Sequence, residues 1–279
     1  MFHIQRLEQK HLAEALKLCR ENGWNQTHDD WMRILRYQPD GCFAAISDEK
    51  LVGTVTSTLY GNQLAWIGMM LVRSQYRRLG IGQSLLETCI EFLKQQSIKT
   101  IRLDATPLGY TLYKKLGFQP EYHLRRWHRK AHEVSKESQP LSDGVITSVR
   151  DRFLDRHLTL DQRAFGCDRK EWLNQVINDS HFISAANGFG MIRGGYLADY
   201  LGPVCASDQS TAEWIVQSLI DLTQRDIFWD ILSENETAES LAESFGFNAV
   251  RDLTRMYRGE PLSVAQPNIL YGLVDPAVG

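Results

Sequence analysis

Between Val72 and the apolar stretch that opens at Ile81, the sequence reads Arg73-Ser74-Gln75-Tyr76-Arg77-Arg78-Leu79-Gly80-Ile81-Gly82. The run before it has strand character and the run after it has helical spacing, so the glycines fall at a strand-to-helix turn. A helix N-terminus offers unpaired backbone N–H groups and the positive end of the helix dipole. Gly80 and Gly82 carry no Cβ, which lets a ligand approach the backbone, and Arg77 and Arg78 add positive charge beside it. That chemistry suits a pyrophosphate. The third glycine and later acid of a dinucleotide-binding fingerprint are missing, as is the Gly-Lys-Ser/Thr of a P-loop. On these residues alone, an ordinary strand–helix turn with two glycines remains the plainer alternative.

The elements that would position this turn are legible on both sides. Leu12, Ala15, Leu16 and Cys19 recur at helical spacing up to Gly23, and a second helix is expected from Asp29 to Tyr37, before the Pro39-Asp40-Gly41 turn. Three strand-like runs follow, Cys42–Ile46, Leu51–Tyr60 and Gln63–Val72, separated by turn residues, so an antiparallel meander is expected. From Ile81 to about Gln95, Leu85, Cys89 and Phe92 form one apolar stripe with Leu86, Ile90 and Leu93 beside it. Lys99–Leu103 reads as a strand. Thr106 with Pro107 reads as the start of a helix that ends at Gly117, and Phe118–Trp127 reads as a last strand. The expected order is α-α-β-β-β-α-β-α-β, a mixed α/β sheet with helices on its faces.

At an offset of 129 positions, Leu103, Leu112, Gly117, Phe118, Leu124, Arg126 and Arg129 fall on Leu232, Leu241, Gly246, Phe247, Leu253, Arg255 and Arg258. A strand–helix–Gly-Phe–strand unit therefore occurs twice. The organisation expected is a domain over 1–130, a polar linker over 131–143, a second domain over 144–262 and a tail over 263–279. A chain of 279 residues is long enough for two such domains. A net charge of −3 gives no general attraction to nucleic acid or an anionic membrane, and no stretch is apolar enough to span one. The basic run Leu124–Lys130 is expected to be a solvated strand end. The first eight residues lack a signal peptide's apolar core, and the five scattered cysteines show no metal or disulfide spacing, so a cytoplasmic chain with no metal is expected.

Arg77, Gly80 and Gly82 resemble the acetyl-CoA signature Arg/Gln-x-x-Gly-x-Gly/Ala of the GNAT superfamily of N-acetyltransferases. Leu112-Tyr113-Lys114-Lys115-Leu116-Gly117-Phe118 is similar to its second signature, and the resemblance covers most of residues 1–130. The second half resembles the degenerate GNAT-like domain of a tandem branch, so the fold implied is two GNAT-like domains, each a mixed central sheet flanked by helices. The resemblance implies acetyl-CoA as the acyl-donor cosubstrate. The backbone of Leu71, Val72 and Arg73 would pair with the pantetheine arm. Amides from Arg78 through Leu79, Gly80, Ile81, Gly82 and Gln83 to Ser84 would hold the pyrophosphate, with Arg77 beside them. A splay after Val72 would admit the thioester. Where the superfamily often has Asn seven residues before the tyrosine, this chain has Thr106.

Tyr113 is the expected catalytic residue. Expulsion of a thiolate leaves a group whose conjugate acid lies near the thiol reference of about 8.5, against about 10 for tyrosine, so full proton donation is uphill by about 2 kcal/mol. A hydrogen bond to the leaving sulfur meets the need with the proton following later. A backbone N–H near Leu71 or Val72 is the natural oxyanion donor. Asp104, His28, Asp29 and Asp30 are all conceivable bases, and each is equally a cap or a solvated surface group. Trp24, Asn25 and Tyr60 are the acceptor-site residues expected, with Trp66 and Met70 as lining or core. In the second copy, with one residue of slippage, the glycine signature falls on Ser207, Ser210 and Ala212 and Tyr113 on Ala242, while Ser233 and Glu236 form a capping box. Fold without chemistry is the expectation there, with three roles open: covering the acceptor pocket, a homodimer contact, or a ligand of its own. The reading is direct acetyl transfer to a primary amine, of a small metabolite before a protein, with no nucleic-acid or membrane partner. A protein N-acetyltransferase and a non-catalytic acyl-CoA sensor are the alternatives.

Overall fold

A computed structural model describes residues 1–131, 155–262 and 265–279. The expected linker beyond Ala131 and the expected start of a second domain at 144 lie outside the described residues. The chain forms two compact units. The first comprises Met1–Glu121, Arg255–Pro261 and Pro276–Gly279; the second comprises Tyr122–Thr254 and Leu262–Asp275.

The first unit begins with a strand, β1 (Phe2–Arg6), which the sequence order above lacks. Its alternating Phe2 and Ile4 are only half-buried at a sheet edge, so the apolar signal is thin. Helices α1 (Leu12–Glu21) and α2 (His28–Tyr37) follow. The second opens on a reciprocal capping box in which the Thr27 hydroxyl accepts from the Asp30 amide at 3.2 Å and the Asp30 carboxylate accepts from the Thr27 amide at 2.8 Å. Strands β2 (Phe43–Ser47), β3 (Lys50–Tyr60) and β4 (Leu64–Val72) form the expected antiparallel meander. Helix α3 (Ile81–Gln95) buries Ile81, Leu85, Leu86, Cys89, Ile90 and Leu93 against Val55, Ala65 and Ile67 of the sheet. Strand β5 (Thr100–Ala105) then runs parallel to β4, and α4 (Pro107–Lys115) is capped by Thr106 and closed by Gly117 at φ 85°.

After β6 (Gln119–Arg129) the pattern recurs. Helices α5 (Asp155–Phe165) and α6 (Lys170–Val176) precede a meander of β7 (Ser180–Ala185), β8 (Gly188–Arg193) and β9 (Asp199–Ala206). Helix α7 (Gln209–Ile220), the parallel strand β10 (Ile227–Leu232), α8 (Glu236–Ser244) and β11 (Asn248–Gly259) complete the copy, and β12 (Leu270–Gly272) pairs with β9. Two details differ from the sequence reading. The caps Gly80 and Asp208 set the offset at this helix to 128 rather than 130, which places Cys205, Asp208 and Ser210 on the glycine signature. Helix α8 is capped by Asn235, whose side chain accepts from the Ala238 amide at 3.0 Å, so Ser233 and Glu236 form no capping box.

The last strand of each half of the sequence contributes to the unit of the other half. In the second unit, β6 lies antiparallel to β10, and Arg126 grips Asp230 with two bonds of 2.9 and 2.8 Å. In the first, Arg255 of β11 grips Asp104 of β5 at 2.9 and 3.0 Å. The run Leu124–Lys130 is therefore not a solvated strand end. Leu124, Arg126 and Trp127 are buried, Arg125 pairs with Asp252 and Glu239, and His128 faces Asp226.

Candidate functional site

The glycine turn lies between β4 and α3, as its sequence context requires. Arg78 and Gly80 both hold left-handed backbone, at φ 62° and 80°, which turns the chain sharply into the helix. Gly80 is the N-cap, no side chain caps the helix, and its first turn contains no acid. Among the described residues, the turn hydrogen bonds use none of the amides from Arg78 to Gln83 as donors, while the Ser84 amide already bonds the Gly80 carbonyl at 3.0 Å. Arg77, Arg78 and Leu79 are exposed, so the turn opens to solvent. Arg77 itself bonds the Val72 carbonyl at 3.2 Å and Asn22 at 2.7 Å, and Arg73 joins Leu51, Glu14 and Glu21. Both arginines therefore brace the turn against α1, and Arg78 is the cation directed to solvent.

Gly82 is where three elements converge. A Cβ placed there would lie 3.1 Å from Met70, 3.5 Å from Leu112 of α4 and 3.7 Å from Val72. The residue thus keeps open a cradle between the end of β4 and the helix that carries Tyr113. Strand β4 is bent on the way to it, with Met69 at φ 47° where its register with β3 slips. Pairing of β4 with β5 covers Leu64↔Thr100, Ala65↔Ile101 and Trp66↔Arg102 only. The splay accordingly opens after Trp66, six residues earlier than the position after Val72 that the sequence resemblance implies. The Arg73 amide bonds the Val52 carbonyl on the β3 side. Antiparallel alternation then turns the Leu71 amide to β3 and the Val72 amide to the open side.

Tyr113 is buried in the first unit's core, edge-on to Phe118 at 6.1 Å between ring centroids. Gly109 makes room for it one turn earlier, since a Cβ there would come within 2.7 Å of the ring. Sequence reasoning passed over Gly109, although a glycine four residues before a helix tyrosine is a usable signal. Burial pushes the Tyr113 hydroxyl well above the ordinary tyrosine range. Burial also raises the thiol of Cys42 to about 12, and that of Cys89 further, so neither is a thiolate at neutral pH. Thr106 is committed to capping α4, where it accepts from Gly109.

Of the four conceivable bases, Asp104 and Asp30 are committed to structural pairs, and His28 and Asp29 lie at the surface. The Asp104 side chain is fully buried against Arg255, Asp30 pairs with Arg33 at 2.9 Å and completes the capping box of α2, and His28 and Asp29 are exposed beside each other. Trp24 is half-buried, Asn25 and Tyr60 are buried, Trp66 is buried under the Arg255 guanidinium, and Met70 is half-buried beside Gly82.

The first unit sets an open helix N-terminus beside a splayed parallel strand pair, and the second repeats the meander, long helix and parallel strand with that N-terminus closed by Asp208, which defines a tandem α/β architecture. Comparison with known proteins gives the family. Residues 9–118 match the acetyltransferase (GNAT) family and residues 157–272 match a further acetyltransferase (GNAT) domain. The uncharacterized N-acetyltransferase YitH of Bacillus subtilis is 27% identical, with 98% of this chain and 97% of that protein aligned. A candidate acetyltransferase from Pyrococcus horikoshii superposes with a TM-score of 0.85 at 27% identity, over 100% of this chain and 96% of that one. A tandem GNAT protein from the clavulanic acid biosynthesis pathway shares the fold, with a TM-score of 0.69 at 12% identity over 94% of this chain and 99% of its own. The chain belongs to the GNAT acetyltransferases and is an acetyltransferase enzyme with two GNAT domains in tandem. Among the described residues, no helix is long and apolar enough to cross a membrane.

Proposed function

We propose that the first unit binds acetyl-CoA and transfers its acetyl group directly to a primary amine of a small metabolite, and that the second unit retains the fold without the chemistry. The observation that carries the reading is the convergence at Gly82 of the open helix N-terminus, the free edge of β4 and the helix of Tyr113. The residues fit the cosubstrate: a cradle a Cβ would crowd, uncapped amides, and no acid in the first turn. When bound, acetyl-CoA supplies an activated acyl thioester. Amides from Arg78 to Gln83, with Arg78, would hold its pyrophosphate. The β4 edge beyond Trp66 would pair with the pantetheine arm as an added strand. The Val72 amide would donate to the acyl oxygen as negative charge grows there.

Tyr113 would hydrogen-bond the leaving sulfur. Its raised pKa makes outright proton transfer costlier than the ordinary reference values imply, and keeps the donor protonated throughout the working pH range. Direct transfer is supported by the raised thiols of Cys42 and Cys89, since an acyl-enzyme needs a ready nucleophile. The second unit lacks the cradle, because Asp208 caps α7 and Ala242 stands where Tyr113 falls at the repeat offset.

The test is a calorimetric titration of acetyl-CoA, followed by release of free CoA thiol with a panel of primary amines. One site per chain and amine-dependent thiol release are expected. Two sites would show that the second unit binds the cosubstrate as well and overturn the assignment of binding to the first unit alone, and no binding at high micromolar cosubstrate would remove the proposal.

A further inference from the structure

We infer that the segment Pro276–Gly279 forms a wall of the first unit's acceptor site and restricts the acceptor to a small amine. The inference rests on the acyl-transfer reading above. Successive strand residues point to opposite faces, so Thr56, Thr58 and Tyr60 share one face of β3. The pairs Thr56↔Gly68 and Thr58↔Trp66 put Gly68 and Trp66 on that same face, opposite the one that α3 covers.

Pro276–Gly279 is seated on this face. The Tyr60 hydroxyl donates to the Val278 carbonyl at 2.6 Å, and Trp66 Nε1 donates to the Pro276 carbonyl at 3.0 Å. Between them the Ala277 backbone approaches Gly68 so closely that a Cβ there would lie 2.0 Å from the Ala277 carbonyl oxygen. A glycine inside a strand often marks such an approach. Ala277 and Val278 are themselves buried.

The side chains best placed to receive a peptide backbone thus already hold the carbonyls of the chain's own segment. A polypeptide acceptor would have to displace it, at the cost of one buried and one partly buried hydrogen bond and two buried apolar side chains. What the face still offers is small. The hydroxyls of Thr56 and Thr58 are buried and have no partner among the described residues. Buried polar groups are ordinarily satisfied, so two unsatisfied neighbours on one face mark the seat of a small hydrogen-bonding ligand.

The experiment compares thiol release from acetyl-CoA with short primary amines and with a hexapeptide bearing a free N-terminus and one lysine. Hydrogen exchange of the Ala277–Gly279 amides is followed in parallel. For the wild-type chain we expect kcat/KM to favour the small amines by about 100-fold or more, with the segment protected. Gly68→Ala drives a Cβ into the Ala277 carbonyl, and should expose the segment to exchange and narrow the preference to about tenfold. Tyr60→Phe/Trp66→Phe removes both donors and tests the same point should Gly68→Ala fold poorly. Equal use of the hexapeptide by a protected wild-type chain overturns the inference, as does an unchanged preference in a variant whose segment exchanges freely. A wild-type chain that binds acetyl-CoA and acetylates neither class overturns the acyl-transfer reading, and the inference with it.

Discussion

The two long helices α3 and α7 follow the third strand of their meanders, yet their N-termini present opposite charge. At α3 the N-cap is Gly80 in left-handed backbone, and no side chain occupies the amides. At α7 the N-cap is Asp208, which accepts from the Thr211 amide at 2.8 Å and from the hydroxyls of Ser210 and Thr211 at 2.7 and 2.9 Å. Those bonds hold the Asp208 carboxyl down to a pKa of about 2, so a full negative charge sits where α3 offers only partial positive charge. An incoming phosphate would meet donors at one and a carboxylate at the other. The difference teaches that a duplicated domain can exchange a donor N-terminus for a carboxylate while keeping the meander, the long helix and the parallel strand that follows it.

What the units share is structural, and its loss should have the largest effects. Arg126 and Arg255 correspond in the repeat, and each is buried in a two-point grip on an aspartate of the parallel strand beside it. Removing one member of such a pair leaves a buried unpaired charge, at a cost of about 3–5 kcal/mol. Arg126→Met and Arg255→Met should each lower unfolding stability by about that much in urea denaturation. A loss confined to one of them would show that the correspondence is one of sequence and not of energetics.

Where the units differ, the expected effects are on ligand and rate. Gly82→Leu fills the cradle among Met70, Leu112 and Val72, and should weaken acetyl-CoA binding by about 100-fold, or about 2.7 kcal/mol, by calorimetry. Its melting temperature is the control for folding, since the Met70 methyl group 3.1 Å from the new Cβ has to shift to admit the side chain. Retained binding would transfer the site away from this turn. Tyr113→Phe should lower turnover by about tenfold or more and leave cosubstrate affinity within a few-fold. Wild-type turnover in that variant would remove the tyrosine's assigned role. Because burial raises the Tyr113 pKa, turnover should show no falling limb from this hydroxyl up to pH about 10.

The glycine turn, the meander, α3 and the helix of Tyr113 were legible in the sequence because each is written in local spacing and caps. Arg255 and Asp104 were not paired in advance, since 151 positions separate them and neither residue's neighbours specify a partner. The seating of Ala277 on Gly68 was hidden for the same reason, although a mid-strand glycine signals a close backbone approach. Met69 departs from regular strand backbone although it is itself neither glycine nor asparagine, the types that favour such a φ. That bulge, together with the short β4–β5 pairing, is why the splay opens nearer to Trp66 than the strand's end suggested. The turn's own register was legible in the first unit and slipped by two positions in the second, where Asp208 does the work of Gly80 with different chemistry.

The smallest effect expected is on the charge that closes the second helix. Asp208→Asn keeps an acceptor able to cap the Thr211 amide and removes the negative charge, so the pair isolates electrostatics from capping geometry. The folded pKa is lowered to about 2 from the ordinary 3.8, so the charge contributes stability above pH about 4 and loses it as pH falls toward 2. The wild-type chain should therefore exceed Asp208→Asn in urea midpoint at pH 6, with the gap narrowing steadily below pH 4. Curves that stay parallel across that window would mean that the carboxylate caps α7 as a neutral acceptor would. The charge contrast between the two N-termini would then carry no stability, and exclusion of a phosphate would be its only consequence.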